Sequence, residues 1–335
     1  MMLHTPIAYV LLSVYNKSAG DYGKKGITMP TYAMGSAIRE MRIRLGYTQE
    51  ELAYGVCSAG TLSKIENGQA VISKRVFEAL CSKLPGMHHV WISCDTKLEM
   101  KRSKLCKQIL FSLGAAELTK ASEAMAQYHL LKEEGNPFCM QFELYTQAIY
   151  QGLAKKSEEE ILPKLKKALK MTMPDYKTRF LAKKKVVLLT YDELYILSNM
   201  GIAYAKKNRT ELAYRIFVFL KLYMEQQDLD LAESAKACPM LYGNLAWVLE
   251  RQGQFDEAVK QCDTGINICI FAGNYTVLPH LFCIKARCYT ASKNYVIARK
   301  CMQQAKAILD IKGNYRNYGS FEEFYKAREP IYVIY

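Results

Sequence analysis

Several residues between Gln49 and Lys64 have side chains suited to contacting nucleic acid. The amide of Gln49 can donate a hydrogen bond to a phosphate oxygen. Small polar residues at the start of a helix allow the backbone to approach base edges closely. The candidates for contact with bases and nearby phosphates are Ser58, Ala59, Gly60, Thr61, Ser63 and Lys64. A solvated helix face has a similar composition, so the choice depends on the elements around these residues.

Those elements are predicted to be two short helices joined by a tight turn. Thr48 and Glu51 have the spacing of a capping box, in which each side chain satisfies a free backbone N–H. Gly55 breaks the first of the two helices, Ser58 is suited to cap the second, and Gly68 ends it. Two short helices joined by a tight turn are typical of a helix-turn-helix, whose second helix lies in the major groove of DNA, and we predict that motif here.

A known family has the same motif. The stretch RIRLGYTQEELA, followed by LSKIENG, resembles the XRE (Cro/repressor) family of five-helix DNA-binding domains. This resemblance assigns Arg42 and Glu66 to a structural ion pair behind the second helix of the motif. The turn from Gly55 to Ser58 is one residue shorter than in that family. GVCSAGTLSKIENG resembles the variant of this turn in peptide-responsive regulators of Gram-positive bacteria.

The segment after Gly68 is predicted to complete the small domain. Residues 73–84 have the apolar periodicity of a fourth helix, and residues 90–92 would begin a fifth. Lys74 and Arg75 lie in the first turn of the fourth helix. The resemblance implies that they contact the DNA backbone there, although a solvated basic pair fits as well.

Composition restricts the class of protein. The chain has 335 residues, 50% of them hydrophobic, which is enough for two or more folded domains. Its eleven cysteines include no CxxC pair, so we expect buried thiols in a reducing cytoplasm. The pair His88 and His89 has no further ligands at metal-binding spacing. We find no nucleophile–base pair and no glycine-rich phosphate loop, and therefore expect neither an enzyme nor a cofactor.

The net charge of +14 is unevenly distributed. Residues 155–185 contain eleven Lys and Arg against four Asp and Glu, a balance of +7. Such a run is usually a solvated helix face, but it can also attract DNA phosphates or line an entry for an acidic ligand. The sequence does not distinguish among these roles.

The chain divides into four regions. Residues 1–33 are predicted to be a poorly ordered extension, because the apolar stretch Pro6–Tyr15 is about half as long as a membrane span and lacks a signal peptide's charge. Residues 34–95 are predicted to form the helix-turn-helix DNA-binding domain and residues 96–110 a linker helix. Residues 111–335 are predicted to form a TPR-like peptide-binding and dimerisation domain.

Residues from 97 onward are predicted to be helix after helix, with three weak repeats. Gly201, Ala246 and Ala286 take the small-residue position of a tetratricopeptide (TPR) unit. Their offsets of 45 and 40 residues exceed the usual repeat of about 34. The predicted fold is all-α, a five-helix XRE-type domain followed by a right-handed superhelix of TPR-like helix pairs.

The first helices of such pairs form a concave groove that can hold an extended peptide. Asn199 and Asn244 take the same place in successive units. A side-chain amide can pair with both the N–H and the C=O of a bound backbone. The predicted groove residues are Asn199, Ile202, Lys206, Asn244, Trp247, Arg251, His280 and Arg287. The alternative is ordinary polar residues on a wet surface.

The order of domains resembles the RRNPP family of regulators over residues 34 to about 310. This resemblance implies a cytoplasmic homodimeric transcription regulator that binds a near-palindromic operator in double-stranded DNA. It also implies that the superhelix senses a short signalling peptide of the quorum-sensing type, and that no membrane is involved. Two alternatives are an interaction scaffold, as in the Rap members, and a phage or mobile-element repressor controlled by a partner protein.

Overall fold

A computed structural model describes residues 31–84, 97–176, 188–226, 231–312, 320–328 and 330–331. These residues form fifteen α-helices and no β-strand, which confirms the all-α prediction. None of these helices has both the length and the apolar character needed to cross a membrane. The predicted N-terminal extension up to residue 30 and the predicted fifth helix of the small domain lie outside the described residues.

Four helices form an N-terminal unit that we call the head. They are α1 (Thr31–Arg44), α2 (Gln49–Ala53), α3 (Ala59–Glu66) and α4 (Lys74–Ser82). Thr48 caps α2 in the predicted capping box with Glu51, and Ser58 caps α3 by accepting from the Thr61 N–H at 3.0 Å. The turn between these helices passes through Gly55 at φ 71°, a left-handed conformation that favours glycine.

The head has its own hydrophobic core. Ile38, Leu52, Leu62 and Leu80 are completely buried and belong to one cluster. Complete burial of one such side chain contributes about 1.5–3 kcal/mol to folding. Leu188, which precedes the helix that begins at Tyr191, is buried in the same cluster. The head is therefore packed against the rest of the chain.

Ten helices form five antiparallel pairs that we call the body. They are α5 (Lys97–Gly114), α6 (Leu118–Leu131), α7 (Pro137–Leu153), α8 (Glu158–Thr172), α9 (Tyr191–Lys206), α10 (Thr210–Glu225), α11 (Leu231–Arg251), α12 (Phe255–Phe271), α13 (Leu278–Ala291) and α14 (Tyr295–Lys312). Partners within each pair are in contact, and α9, α11 and α13 adjoin along one face.

Small residues allow the paired helices to approach closely, as the repeat alignment predicts. Ala246 and Ala286 are completely buried. A Cβ at Gly201 would lie 2.8 Å from the Phe217 ring of the partner helix, which leaves no room for a larger residue. The earlier pairs between residues 104 and 172, visible in the sequence only as amphipathic helices, pack in the same way.

A buried polar network joins consecutive pairs of the body. Gln141 of α7 donates to the Thr172 hydroxyl at 2.7 Å, and that hydroxyl donates to Glu193 of α9 at 2.6 Å. The other oxygen of Glu193 accepts from the Thr190 N–H at 2.8 Å. Because buried polar groups are costly when unpaired, this network favours one register between α7, α8 and α9.

The head and the body touch through backbone as well as side chains. If Gly55 carried a Cβ, that atom would lie 2.1 Å from the carbonyl oxygen of Thr172. Tyr54 packs against the body's core, and Lys83 donates to the Tyr54 carbonyl at 2.5 Å. This contact places the turn of the helix pair directly on the end of α8.

The ten described cysteines are free thiols, and eight of them are buried. Burial raises the pKa of Cys283 and Cys288 to about 12, so both stay protonated and unreactive at neutral pH. Within the described part of the chain, no group of three His, Cys, Asp or Glu residues is placed to bind a metal ion.

Candidate DNA-reading helix and peptide groove

The outer surface of α3 is open to solvent. Leu62 and Ile65 are buried in the head's core, which turns the opposite side of the helix outward. On that side Ser58, Gly60, Thr61 and Lys64 are exposed, and Ala59 and Ser63 are half-buried. All six predicted base-contact candidates of this stretch therefore lie on or beside the accessible face.

The hydroxyls of Ser58 and Thr61 lie 2.8 Å apart, which keeps both at the N-terminal end of α3. The positive end of the helix dipole and its free N–H groups lie at this end. Such an end attracts phosphate oxygens. The arrangement suits the close approach of α3 to a DNA duplex.

An ion pair holds α3 against α1. The Arg42 Nε–Glu66 Oε1 distance is 2.6 Å, and Nη2 donates to Oε2 at 2.8 Å. The Glu66 side chain is only 1% exposed. The remaining guanidinium nitrogen donates to the carbonyl of Tyr47 at 2.8 Å. These contacts agree with the structural role that the family resemblance implies for both residues.

Gln49 has a contact that the sequence did not indicate. Its Nε2 donates to Glu66 Oε2 at 2.8 Å, and the residue is half-buried. Burial works to raise the pKa of Glu66, but the hydrogen bonds from Arg42 and Gln49 outweigh it and hold that pKa below its usual value. The amide donor of Gln49 is thus engaged within the head, and its contact with a DNA phosphate stays a prediction.

The structure corrects the prediction for Arg75. Its guanidinium donates to the Phe138 carbonyl, and its Cζ lies 5.6 Å from the centroid of the Phe138 ring. α4 turns this side toward the body, so Arg75 is not available to DNA in this arrangement. Lys74 is the first residue of α4, and its side chain lies outside the described residues.

The predicted groove holds residues of the same chain that lie near its C-terminus. After α15 (Phe321–Ala327), Arg328 adopts a left-handed conformation and the backbone reaches Ile331. Asn244 donates to the Ile331 carbonyl at 2.8 Å and accepts from the Ile331 N–H at 2.9 Å. This is the double amide–backbone contact predicted for a peptide, made here with residues 320–331, which we call the C-terminal segment.

Other predicted groove residues surround the same segment. Trp247 donates from Nε1 to the Arg328 carbonyl at 2.9 Å. The ring of His280 meets that of Phe324 edge to face, with 4.8 Å between centroids. Arg251 lies outside these contacts, with its guanidinium 5.3 Å from the Trp247 ring and a 3.3 Å hydrogen bond to Asn208.

Arg287, another predicted groove residue, is paired with a carboxylate of the body. It forms an ion pair with Glu250 through two hydrogen bonds of 2.7 Å each. Both side chains are less than 10% exposed, at 6% and 9%. Buried charges are tolerated when they are paired, so the Glu250 carboxylate neutralises Arg287 and leaves no net charge on this part of the groove.

The first repeat does not join the groove around the C-terminal segment. Asn199 donates to the Tyr195 carbonyl of its own helix at 2.8 Å. Ile202 is 1% exposed and belongs to the body's core, which corrects its assignment as a groove residue. Lys206 lies 4.0 Å from Glu158 of the preceding pair. The shared repeat position of Asn199 and Asn244 thus has two different environments.

The basic stretch is only partly described, because residues 177–187 lie outside the described residues. Lys166 packs over the ring of Tyr204 at 5.6 Å. Lys207, which follows α9, pairs with Glu159 of α8. These contacts join α8 to α9 and leave the role of the remaining lysines as a prediction.

A comparison with family models supports the geometry of the head. Residues 33–84 match a model described as a helix-turn-helix domain. The head is a helix-turn-helix domain. In DNA-bound helix-turn-helix motifs the second helix of the motif, called the recognition helix, lies in the major groove. The second helix of the motif in this chain is α3. A comparison with curated protein sequences finds no match.

Two solved structures share the fold over most of this chain. One is Bacillus thuringiensis PlcR in complex with the peptide PapR7 and DNA, with a TM-score of 0.54 and 19% sequence identity. The match covers 89% of this chain and 99% of that chain. The other is the apo form of the same protein, with a TM-score of 0.51, 18% identity and coverage of 89% and 98%. The fold is therefore a helix-turn-helix head on a body of helix pairs.

Proposed function

We propose that the chain is a sequence-specific DNA-binding transcription regulator and that its body senses a short signalling peptide. The observation that supports DNA binding most directly is the recognition helix. Its outer face is exposed, and its buried Glu66 forms an ion pair with Arg42 of α1. The fold is shared with a PlcR structure that contains both DNA and a peptide. We expect the protein to act in the cytoplasm by binding, without catalysis.

The supporting observation for peptide sensing is the contact of Asn244 with the backbone of Ile331. A side chain that pairs with both backbone groups of one residue recognises an extended chain largely independently of its sequence. The groove therefore has the chemistry that a peptide ligand requires.

We further propose that the regulator is a homodimer. Two recognition helices related by a two-fold axis would read half-sites about 34 Å apart, or a multiple of that distance. The operator should accordingly be a near-palindrome. The candidate base-reading residues are Ser58, Ala59, Gly60, Thr61, Ser63 and Lys64.

Selection of bound sequences from a random duplex pool, followed by footprinting, tests DNA binding. We expect one enriched near-palindromic site. Addition of peptides from spent culture medium should then change the affinity for that site. Failure to enrich any sequence would contradict the proposed role as a sequence-specific DNA-binding regulator. A change caused only by a protein fraction would favour control by a partner protein.

A further inference from the structure

The C-terminal segment contacts the body partly through main-chain groups that any peptide ligand also has. Asn244 pairs with both backbone groups of Ile331, at 2.8 and 2.9 Å, and Trp247 donates to a second backbone carbonyl, that of Arg328. Ile331 is 2% exposed, and Phe321 and Phe324 are 5% and 7% exposed. The groove is therefore occupied by the chain itself.

The space that holds the Ile331 side chain, which we call the seat, exists because residue 243 is a glycine. A Cβ at Gly243 of α11 would lie 2.5 Å from Ile331 Cδ1 and 3.2 Å from Leu281 Cδ2. Glycine in the middle of a helix is unfavourable relative to alanine. Its presence here gives the aliphatic side chain of Ile331 room beside Asn244.

The backbone contacts themselves allow replacement of the segment. The hydrogen bonds that Asn244 and Trp247 make to the described part of the segment go to main-chain atoms, so another peptide can make the same hydrogen bonds. Discrimination between peptides then depends on the seat at Gly243. Since Glu250 neutralises Arg287, the adjoining surface favours an apolar ligand over an acidic one.

We propose that the C-terminal segment is a built-in competitor in the groove, and that the ligand is a peptide with a branched aliphatic residue that displaces Ile331 from the seat at Gly243. This inference rests on the proposed peptide sensing and specifies both the class of ligand and the event that binding triggers. An internal segment competes at an effective concentration of about millimolar, so it weakens the apparent affinity of any ligand for the same seat.

The conformation of Arg328 agrees with a segment that can be released. Its φ of 50° lies in the left-handed region, which is unfavourable for a residue with a Cβ. Contacts on both sides, from α15 and from Asn244, hold it there. Release of the segment relieves this local strain, which offsets part of the lost contacts.

A peptide with the sequence of residues 328–335, REPIYVIY, serves as the probe. Binding of a fluorescent form to the full-length chain is measured by polarisation. We expect Ile331→Asp to bind the probe at least ten-fold more tightly than the native chain, because the competitor is expelled while the seat stays intact. Ile331→Ala should change affinity in the same direction and replaces the first variant if that one does not fold.

A second variant tests the seat. Adding Gly243→Ala to the Ile331→Asp chain should weaken its binding of REPIYVIY at least ten-fold. This double variant should bind REPAYVIY, in which Ala replaces the isoleucine of the seat, better than REPIYVIY. Gly114→Ala is the matched control, since a Cβ at Gly114 meets nothing within 4 Å. Equal probe affinity in the native chain and both Ile331 variants would overturn the proposal, as would absence of probe binding in all of them.

The measurement does not depend on the proposed function. It uses neither DNA nor a signalling peptide, so a failure to find an operator leaves its result intact. The converse outcome is a natural peptide that regulates DNA binding and yet binds the native and Ile331→Asp chains equally. That result would overturn the proposal that the C-terminal segment competes with the ligand, and would leave the proposed function standing.

Discussion

Arg42 donates hydrogen bonds from two guanidinium nitrogens to the carboxylate of Glu66, at 2.6 and 2.8 Å. Its third guanidinium nitrogen donates to the carbonyl of Tyr47 at 2.8 Å. One side chain thus connects α1, the start of α2 and the end of α3. Gln49 donates to the same carboxylate. The position of the recognition helix therefore depends on a single buried carboxylate.

Replacement of Arg42 by Ala should destabilise the head by about 3 kcal/mol, because Glu66 would be left buried without its cation. Amide hydrogen exchange of α3 in the full chain measures the effect as faster exchange. Arg44→Ala is the matched control, since Arg44 is an exposed arginine at the end of the same helix. Equal acceleration by both substitutions would contradict the ion pair's role.

Acid should destabilise the head through Glu66. Because the pKa of Glu66 is lower in the folded state than in the unfolded chain, its contribution is present above the unfolded value of about 4.3 and is lost as pH falls through the folded value. Exchange rates of α3 amides between pH 6 and pH 3, corrected for intrinsic exchange, should rise more steeply in the native chain than in Glu66→Gln. Parallel profiles would refute this linkage.

Lys64→Ala and Thr61→Ala should each weaken operator binding by about 1–3 kcal/mol and relax sequence preference at one or two positions. Both side chains lie on the exposed face of α3. Mobility-shift titrations with the selected operator and a random duplex measure the change. Lys120→Ala, which removes an exposed lysine of the body, is expected to change neither affinity. A purely uniform loss for the two α3 variants would assign them to phosphates.

Gln49→Ala should act in two ways. The loss of its hydrogen bond to Glu66 should destabilise the head by about 1 kcal/mol, since Arg42 still pairs with the carboxylate. If Gln49 also contacts a phosphate, affinity for operator and random DNA should fall by a similar factor. A selective loss on the operator would show that Gln49 influences base reading instead.

Asn244→Ala and Asn199→Ala should have different effects although the two residues share a repeat position. The first removes both hydrogen bonds to Ile331 and should speed amide exchange in residues 320–331 by about ten-fold or more. The second removes a bond to Tyr195 within its own helix and should leave that exchange unchanged. Protection lost equally in both variants would mean that the groove responds as one unit.

The sequence alone predicted the local elements and the repeating ones. The capping box of Thr48 and Glu51 depends on residues three positions apart, and the helix pairs depend on small residues such as Gly201 at periodic positions. The Arg42–Glu66 pair was predicted from a motif resemblance. Such signals are readable because short-range spacing or a family pattern specifies them.

Only the tertiary structure decided which side chains face which partner. Arg75 bonds Phe138, 63 residues away, and Asn244 bonds Ile331, 87 residues away. No spacing rule relates positions so far apart, because their contact depends on how whole helices pack. A polar residue at the correct repeat position can therefore bond its own helix, as Asn199 does, or hold the chain's own C-terminal segment, as Asn244 does.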